Sequence, residues 1–403
     1  MTLAVDGGTP VRSDFLDPYG PYCAESDLDA IRTVLAAGCR REGAFVRQLE
    51  ETVAEMTGAR FAIALANHAA AMHAALYAAG LAKGDEAAVP SLASPATSHG
   101  AVYLGGKCVF CDIDPGTFGL DATDLAQKLG PGCKAVIPVH LAGHPCDLKP
   151  VLSLAEERAL TVIEDATQAL GALYEGRPVG TFGHMGVLSF GDSSLTPAGG
   201  GAVVLTDSEE FRDWLALFRN LGIEHDPRRM LKYEGSWQGE VQELGFDYRL
   251  SDIHAALALN RLRDLDRTLA RRRAIAAYYN KALADLPGVH LPKPAPFARP
   301  AWCSYCILLD REVIPRGRKI VYEALRAENI GVDVPCQPLH MQPFYKWQGN
   351  PNYCTLYEPS PAPRAEQVYA RILSLPLYPA MTEKDAADVV AAIRKVISHF
   401  AAA

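Results

Sequence analysis

The 403-residue sequence lacks any apolar run approaching the roughly 20 residues that a membrane-spanning helix requires. Its first residues also lack the basic and apolar regions of a secretory signal, so we expect a cytoplasmic protein. The formal net charge of −8 gives no excess of positive charge for binding nucleic acid or an anionic membrane. The hydrophobic fraction of 49% is instead typical of a globular protein, long enough for a large domain and a smaller one.

The sequence also lacks a cysteine spacing that indicates a disulfide framework or a metal site. Its ten cysteines are scattered, which suits reduced thiols. Two CxxC pairs occur, Cys108 with Cys111 and Cys303 with Cys306, but both lie in strand-like runs. Residues three apart on a strand point to opposite faces, so each pair is badly placed to share a zinc ion. We therefore expect buried thiols and no metal.

Lysine is absent from a long central tract, since none occurs between Lys149 and Lys232. The same tract holds a notable acidic segment at 163–168 (Ile-Glu-Asp-Ala-Thr-Gln), then Leu-Ser-Phe-Gly-Asp-Ser-Ser-Leu at 188–195. It continues into a glycine-rich turn at 199–201. Any chemistry in this tract that needs a lysine amine is therefore excluded.

Short apolar runs alternate with helical stretches through the first two thirds of the chain. Such alternation predicts an α/β fold with a mixed, mostly parallel seven-stranded sheet that is covered on both faces. The predicted strands are 61–65, 86–89, 108–112, 135–139, 161–164, 187–190 and 202–205. A smaller C-terminal α+β domain follows, with strand-like runs at 302–309 and 331–334 and helices at 316–328 and 383–400. We divide the chain into an arm at 1–25, a large domain at 26–270 and a small domain at 271–403.

The order and spacing of many short motifs resemble the DegT/DnrJ/EryC1/StrS aminotransferases, a sugar and aminocyclitol branch of the fold type I enzymes that use pyridoxal phosphate (PLP). The resemblance covers essentially the whole chain. It implies a fold type I architecture, a homodimer, and a keto-sugar, an aminocyclitol or a related natural-product intermediate as substrate. Besides the 163–168 and 188–195 segments, the matching motifs are 7–12, 83–86, 103–105, 112–114, 137–144, 245–251, 338–343 and 375–379.

Three positions of the family's cofactor site are retained, by this resemblance. Asp165 matches the aspartate that pairs with the pyridine nitrogen, and an aspartate there makes the ring an electron sink. Gln168 matches the residue that contacts the phenolic oxygen, and Ser189 matches a phosphate-binding serine. These are the candidate cofactor-binding residues.

Other positions depart from the family pattern, and they concern different parts of one cofactor. Ser194 stands where the family has the lysine that forms the Schiff base, and a hydroxyl cannot form an imine. Ser94 replaces the aromatic residue over the ring. Asp247 replaces the asparagine of a segment that reaches the phosphate from the partner subunit. Ala69 takes the place of a hydroxyl residue at a phosphate-binding helix start. The pattern predicts a divergent member with no cofactor, or with PLP or pyridoxamine phosphate (PMP) bound without a covalent link.

The candidate catalytic residues are Asp165, His184, Asp192 and Ser194. Without a pyridinium partner, burial in an apolar cleft would raise the pKa of Asp165 and suit it to acid–base catalysis. The candidate substrate-binding residues lie on segments that the resemblance brings to the same cleft; they are His68, Ser94, His140, Asp247 and Arg249.

The sequence leaves three functional alternatives open. The protein is an enzyme with a repurposed, cofactor-independent pocket, which we favour, or an enzyme that uses PLP or PMP non-covalently on a keto-sugar. In the third alternative it is a non-catalytic partner of an active paralogue, to whose active site the 225–250 loop contributes Arg228, Arg229 and Lys232.

Overall fold

The computed structural model describes residues 2–20, 25–39, 43–346 and 361–401. Most of its α-helices lie between strands or after the last strand of the central sheet. The helices are α1 (Glu25–Ala36), α2 (Ala44–Thr57), α3 (His68–Ala78), α4 (Pro95–Tyr103), α5 (Ala122–Lys128), α6 (Leu148–Glu157), α7 (Glu209–Arg219), α8 (Asp252–Arg263), α9 (Leu265–Ala282), α10 (Arg318–Ala327), α11 (Pro343–Lys346), α12 (Pro363–Tyr369) and α13 (Glu383–Ala401). None of the helices in these ranges is long and apolar enough to cross a membrane.

The strands of the described residues form one large sheet and three small ones. They are β1 (Phe61–Leu65), β2 (Glu86–Pro90), β3 (Lys107–Cys111), β4 (Cys133–Val136), β5 (Thr161–Asp165), β6 (Leu173–Tyr174), β7 (Arg177–Pro178), β8 (Met185–Ser189), β9 (Ala202–Thr206), β10 (Ile223–Glu224), β11 (Glu240–Val241), β12 (Val289–His290), β13 (Ala298–Arg299), β14 (Tyr305–Leu309) and β15 (Ile372–Leu375).

The large sheet has the strand order β1-β9-β8-β5-β4-β2-β3. β9 runs antiparallel to β1 and β8, and the other pairs are parallel. The predicted α/β fold with a mixed, mostly parallel seven-stranded sheet is therefore confirmed. Of the seven predicted strands, only the fourth is displaced by more than two residues. β4 ends at Val136, and Val139 makes only an isolated bridge with Asp165.

Both faces of this sheet are buried, which explains the continuous apolar runs. Val187 and Leu188 are neighbours on β8, yet they belong to different apolar clusters. Val187 packs on the side of α3, and Leu188 on the side of α2 and α8, because successive side chains of a strand alternate. Cys108 and Cys111 on β3 likewise lie in separate clusters, as the strand geometry predicted.

The C-terminal part of the chain packs around the sheet β12-β14-β15, and we call this part the C-terminal layer. Apolar residues of α10, α13 and the second half of α9 pack against this sheet. The predicted strand at 331–334 is wrong, because Asp333 makes only a single bridge with Ser374. Pro335 follows two residues later and has no amide hydrogen to extend a ladder.

The N-terminal arm is bound to the C-terminal layer through Glu328. This fully buried carboxylate accepts hydrogen bonds from the amides of Ala4 and Val11 at 2.9 Å and from Lys395 at 2.8 Å. The three domain ranges proposed from the sequence stay predictions; the limit at 270 falls inside α9. Residues 1 and 21–24 of the predicted arm lie outside the described residues.

Candidate functional site

Asp165 ends β5 at the carboxyl edge of the large sheet and is almost fully buried, with 2% of its surface exposed. Its Oδ2 accepts hydrogen bonds from Thr97 Oγ1 at 2.6 Å and from His68 Nε2 at 3.1 Å. Its Oδ1 accepts from Thr167, through the hydroxyl at 2.5 Å and the amide at 3.2 Å. Each carboxylate oxygen therefore already has two donors.

The pKa of Asp165 lies well below its ordinary value, so the expectation of a raised pKa is wrong. Burial alone would raise this pKa, but the charge of His68 and the hydrogen bonds from His68, Thr167 and Thr97 outweigh it. The carboxylate is ionised at neutral pH. It can orient an imidazole, but it has no proton to donate.

Ser194 lies in the turn that follows β8. The turn is closed by hydrogen bonds from the Ser194 amide to the Gly191 carbonyl at 3.0 Å and from the Gly191 amide to Ser189 Oγ at 3.1 Å. Ser194 is 4% exposed, and its Oγ has no hydrogen-bond partner among the described residues. A buried polar group without a partner costs about 1–3 kcal/mol. A ligand that bonds to this hydroxyl would recover that free energy.

Ser194 lines a cleft of about 230 Å³ between the carboxyl edge of the large sheet and the C-terminal layer. The predicted residues Ser94, Gln168 and Asp192 line the same cleft. Ser94 also caps α4, because its Oγ accepts the amide hydrogen of Ala96 at 3.3 Å. Four of the predicted site residues therefore converge on one cavity.

Cys336 connects this cleft with the buried Asp165. Its side chain lines the cleft from the C-terminal layer. Burial raises the pKa of the Cys336 thiol to about 12, and the negative charge of Asp165 contributes to the shift. The chain gives the same placement, because Pro95 and Gln168 line the cleft and lie within three residues of the bonded pair Thr97 and Asp165. The Asp165 and His68 pair is therefore placed beside the cleft, although neither residue forms its surface.

His140 does not line the cleft, and its role in substrate binding stays a prediction. The residue is fully buried, its Nε2 lies 3.0 Å from Glu164 Oε2, and its Nδ1 accepts the Cys146 amide at 3.0 Å. Glu164 also accepts three amide hydrogens from the turn at 180–183. Both nitrogens of His140 are thus used to hold two loops together.

His184 does not line the cleft either, and its catalytic role stays a prediction. It is exposed and precedes β8, and its Nδ1 accepts the amide hydrogen of Val162 at 3.0 Å. Val162 is near the start of β5, three residues from Asp165 and about 10 Å away along an extended strand. His184 therefore lies at the amino edge of the sheet, opposite the cleft.

Asp247 and Arg249 form an ion pair with each other, with 2.9 Å between Arg249 Nε and Asp247 Oδ1. Their side chains are 35% and 27% exposed. The intervening Tyr248 carbonyl accepts the amide of Ala66, two residues before α3. Neither charged residue lines the cleft, and their role in substrate binding stays a prediction.

The residues at the cleft do not fit a covalently bound PLP. No lysine is among the described residues that line it. The Asp165 oxygens that would face a pyridine nitrogen are filled by His68, Thr97 and Thr167. Gln168 directs its Oε1 at the Ala142 amide, 2.8 Å away, rather than leaving that oxygen open. A pyridine ring would have to displace His68 before it reached Asp165.

Two threonines of the site were missed in the sequence. Thr167 follows Asp165 by two residues, a spacing at which an aspartate often accepts hydrogen bonds from the residue ahead, so a signal was present. Thr97 comes from α4, and only the folded chain brings it to Asp165.

Comparisons with known proteins agree with this architecture. A family model described as the DegT/DnrJ/EryC1/StrS aminotransferase family matches residues 21–394. The spore coat polysaccharide biosynthesis protein SpsC of Bacillus subtilis (strain 168) is 33% identical over 388 residues, which cover 96% of this chain and 98% of SpsC.

Solved structures with the same fold include two that are 28% identical to this chain. DesV of S. venezuelae, in complex with a ketimine intermediate, has a TM-score of 0.82 and matches over 94% of this chain and 99% of its own. DesI, in the presence of its TDP-sugar product, has a TM-score of 0.86 over 98% and 96% of the two chains. Because the family model and SpsC both span nearly the whole sequence, the chain belongs to the DegT/DnrJ/EryC1/StrS aminotransferase family.

Proposed function

We propose that this protein is an enzyme of sugar, aminocyclitol or related natural-product biosynthesis whose cleft works by acid–base chemistry without a PLP cofactor. The observation that carries the proposal is the 3.1 Å contact between His68 Nε2 and Asp165 Oδ2. In the family pattern this carboxylate pairs with the cofactor's ring nitrogen. Here an imidazole of the chain itself takes that partner's position. The absence of a cofactor is part of this proposal.

His68 acts as the proton carrier in this proposal, from a position beside the cleft rather than on its surface. The ionised Asp165 fixes the imidazole with its Nε2–H toward the carboxylate, which leaves Nδ1 to accept and return a proton. The side chain of His68 is 16% exposed, so proton exchange does not require the core to open. Asp165 therefore acts through His68, while Ser194 and Asp192 bind the substrate from the cleft wall.

Titration of the purified protein with PLP and with PMP tests this function. We expect no saturable change in visible absorbance and no rise in melting temperature with either compound. Saturable binding of either one at micromolar concentration would refute the cofactor-free function. Melting temperature also reports that the protein is folded, so a negative spectrum cannot arise from denaturation.

A pair of lysine substitutions sharpens this test. Ser194→Lys restores the amine at the family position, and Ser193→Lys puts an amine on the neighbouring, exposed residue as a control. We expect neither variant alone to develop a visible PLP absorbance band, because His68 still fills Asp165. The double variant Ser194→Lys with His68→Ala should develop one. A strong band with Ser194→Lys alone would show that His68 does not block the ring.

Non-covalent use of PLP or PMP on a keto-sugar is the second candidate function. It is favoured by the low pKa of Asp165, since a pyridinium needs an ionised partner. DesV is a relative described with a ketimine intermediate. This candidate requires His68 to swing away from Asp165 when the ring enters. It predicts that the wild type binds PMP and that His68→Ala binds it more tightly. The cofactor-free function predicts that the wild type does not bind PMP and that only His68→Ala does.

We further propose that the protein is a homodimer. The loop between β10 and β11 exposes large apolar side chains, with Leu231 96% and Trp237 81% exposed. Exposed apolar patches on a soluble protein mark contacts with another chain. A second copy of this chain is the partner we favour, and an active paralogue remains the alternative. Sedimentation of the purified chain alone distinguishes the two partners, because a homodimer forms without any other protein, whereas a complex with a paralogue does not.

A further inference from the structure

The charged residues that line the cleft, among the described residues, are all acidic. Two carboxylates line it, Asp192 from the turn after β8 and Asp333 from the C-terminal layer. No lysine, arginine or histidine is among the described residues that line this cavity. Asp333 accepts hydrogen bonds from the Tyr19 hydroxyl and from the Val334 amide, whereas Asp192 is exposed at the rim. An anionic ligand would meet like charge from both walls.

A positive charge lies behind this wall at Arg272, where it is bonded to main-chain carbonyls. Arg272 is fully buried, and its Nη1 donates to the carbonyls of Trp302 at 3.2 Å, Cys303 at 3.1 Å and Leu377 at 2.7 Å. These three oxygens come from segments that form the wall. The guanidinium is thereby solvated by main-chain dipoles and is not among the lining residues.

Ser194 supplies an independent sign that a ligand belongs here. Its Oγ is buried, without a hydrogen-bond partner among the described residues, and the residue lines the cavity. Further hydroxyls line the same cavity at Ser94, Ser193 and Ser304. Hydroxyl groups that line a cavity and lack cationic neighbours match a neutral polyol better than a phosphate.

We propose that the cleft binds a polyhydroxylated ligand that carries a protonated amine and no phosphate, such as an amino sugar or aminocyclitol. The ammonium group pairs with Asp192 and Asp333, and a ligand hydroxyl bonds to Ser194 Oγ. This inference rests on the proposed function for a sugar-like ligand but not on the absence of a cofactor. It also separates this chain from DesI, whose structure is described with a TDP-sugar product.

Three small probes test the charge preference. Glucosamine carries the amine, N-acetylglucosamine has the same ring with a neutral amide, and glucose 1-phosphate carries a negative charge. Their dissociation constants are measured by ligand-observed NMR titration against the full-length protein. We expect glucosamine to bind roughly tenfold more tightly than N-acetylglucosamine, the effect of two partly exposed ion pairs. Glucose 1-phosphate should bind most weakly.

Matched variants assign the preference to the cleft. Asp192→Asn and Asp333→Asn should each reduce the preference for glucosamine several-fold, whereas Asp266→Asn, an exposed carboxylate on α9, should leave it unchanged. Ser194→Ala should weaken glucosamine and N-acetylglucosamine by the same factor, because it removes a hydroxyl contact and no charge. Ser153→Ala, at an exposed serine on α6 that does not line the cleft, is its control.

Three results would overturn the inference: equal affinity for the first two probes, tighter binding of glucose 1-phosphate, or no saturable binding of any probe. The PLP and PMP titrations decide the cofactor-free function separately. Tight PMP binding with the glucosamine preference intact would refute that function and leave this inference standing. If neither PLP nor PMP binds and glucose 1-phosphate binds most tightly, the cofactor-free function stands and this inference is refuted.

Discussion

Replacing Asp165 with asparagine is the sharpest test of the His68 and Asp165 pair. The substitution keeps the size of the side chain but removes its charge. One carboxylate oxygen becomes an NH₂ group that faces donors from Thr97 and His68. The Thr97 hydroxyl can turn and accept a hydrogen bond, whereas His68 can keep the contact only as a neutral imidazole whose Nε2 accepts, so its bond to a charged partner is lost. Asp165→Asn therefore disrupts the His68 contact specifically.

The expected loss of stability follows from the number of bonds affected. A hydrogen bond to a charged group contributes about 1.5–3 kcal/mol to stability. Asp165 is buried, but His68 is partly solvated and recovers some hydration, so the loss falls below the 3–5 kcal/mol typical of a fully buried broken pair. We expect Asp165→Asn to lower the free energy of unfolding by about 2–3 kcal/mol at pH 7.

The pH dependence has a defined sign. A carboxylate whose folded-state pKa is depressed stabilises the fold above its unfolded pKa of about 3.9 and loses that effect as the pH falls toward the folded pKa. The difference between wild type and Asp165→Asn should therefore be largest at neutral pH and shrink below about pH 4. Urea unfolding followed by tryptophan fluorescence measures both, with Asp266→Asn as the control. A difference under about 0.5 kcal/mol at pH 7, or one that grows on acidification, would refute the reasoning.

Three further predictions use other parts of the structure. Glu328→Gln should release the N-terminal arm, because Lys395 loses its buried carboxylate. We expect the free energy of unfolding to fall by about 3 kcal/mol and proteolysis within residues 2–20 to become faster, and an unchanged cleavage rate would contradict this. Burial raises the pKa of Cys336 to about 12, so this thiol should react with iodoacetamide far more slowly at pH 8 than the exposed Cys39. Its reaction rate should increase up to about pH 12. Mass spectrometry of labelled peptides compares the two rates, and equal rates at pH 8 would contradict this prediction. Trp237→Ser should weaken self-association in sedimentation with little change in melting temperature, and an unaltered dimer would exclude the loop as the interface.

The strands of the large sheet could be predicted because burial on both faces leaves a direct mark on composition. Strands such as β8 and β9, in which every residue is buried, are apolar except for a single polar residue at their ends. The run ending in Val139 misled the prediction of β4, since the chain leaves the ladder after Val136 without becoming polar. At 331–334 the apolar pattern reflected packing of the C-terminal layer rather than ladder pairing.

The chemistry of the site could be predicted only in part. Ser94, Gln168, Asp192 and Ser194 converge on one cleft, as the motif order indicated. The expectation of a raised pKa for Asp165 was wrong, because the donors that lower this pKa are brought together only by the fold, whereas burial alone would raise it. His140 and His184, which do not line the cleft, show a second limit. A motif gives the position of a residue along the chain, but it does not give the end of the strand at which the side chain lies.

Helix α9 has a consequence for cooperativity. Its Leu269 packs with the apolar residues of the large sheet, and its Ile275 packs with those of the C-terminal layer. The helix is continuous over 18 residues, about 27 Å, so neither layer can unfold without stripping one half of it of its packing partners. A fragment that ends near residue 270 would expose a frayed helical end and lose that support. The two layers should therefore melt as a single calorimetric unit, and the cleft between them should disappear in the same transition.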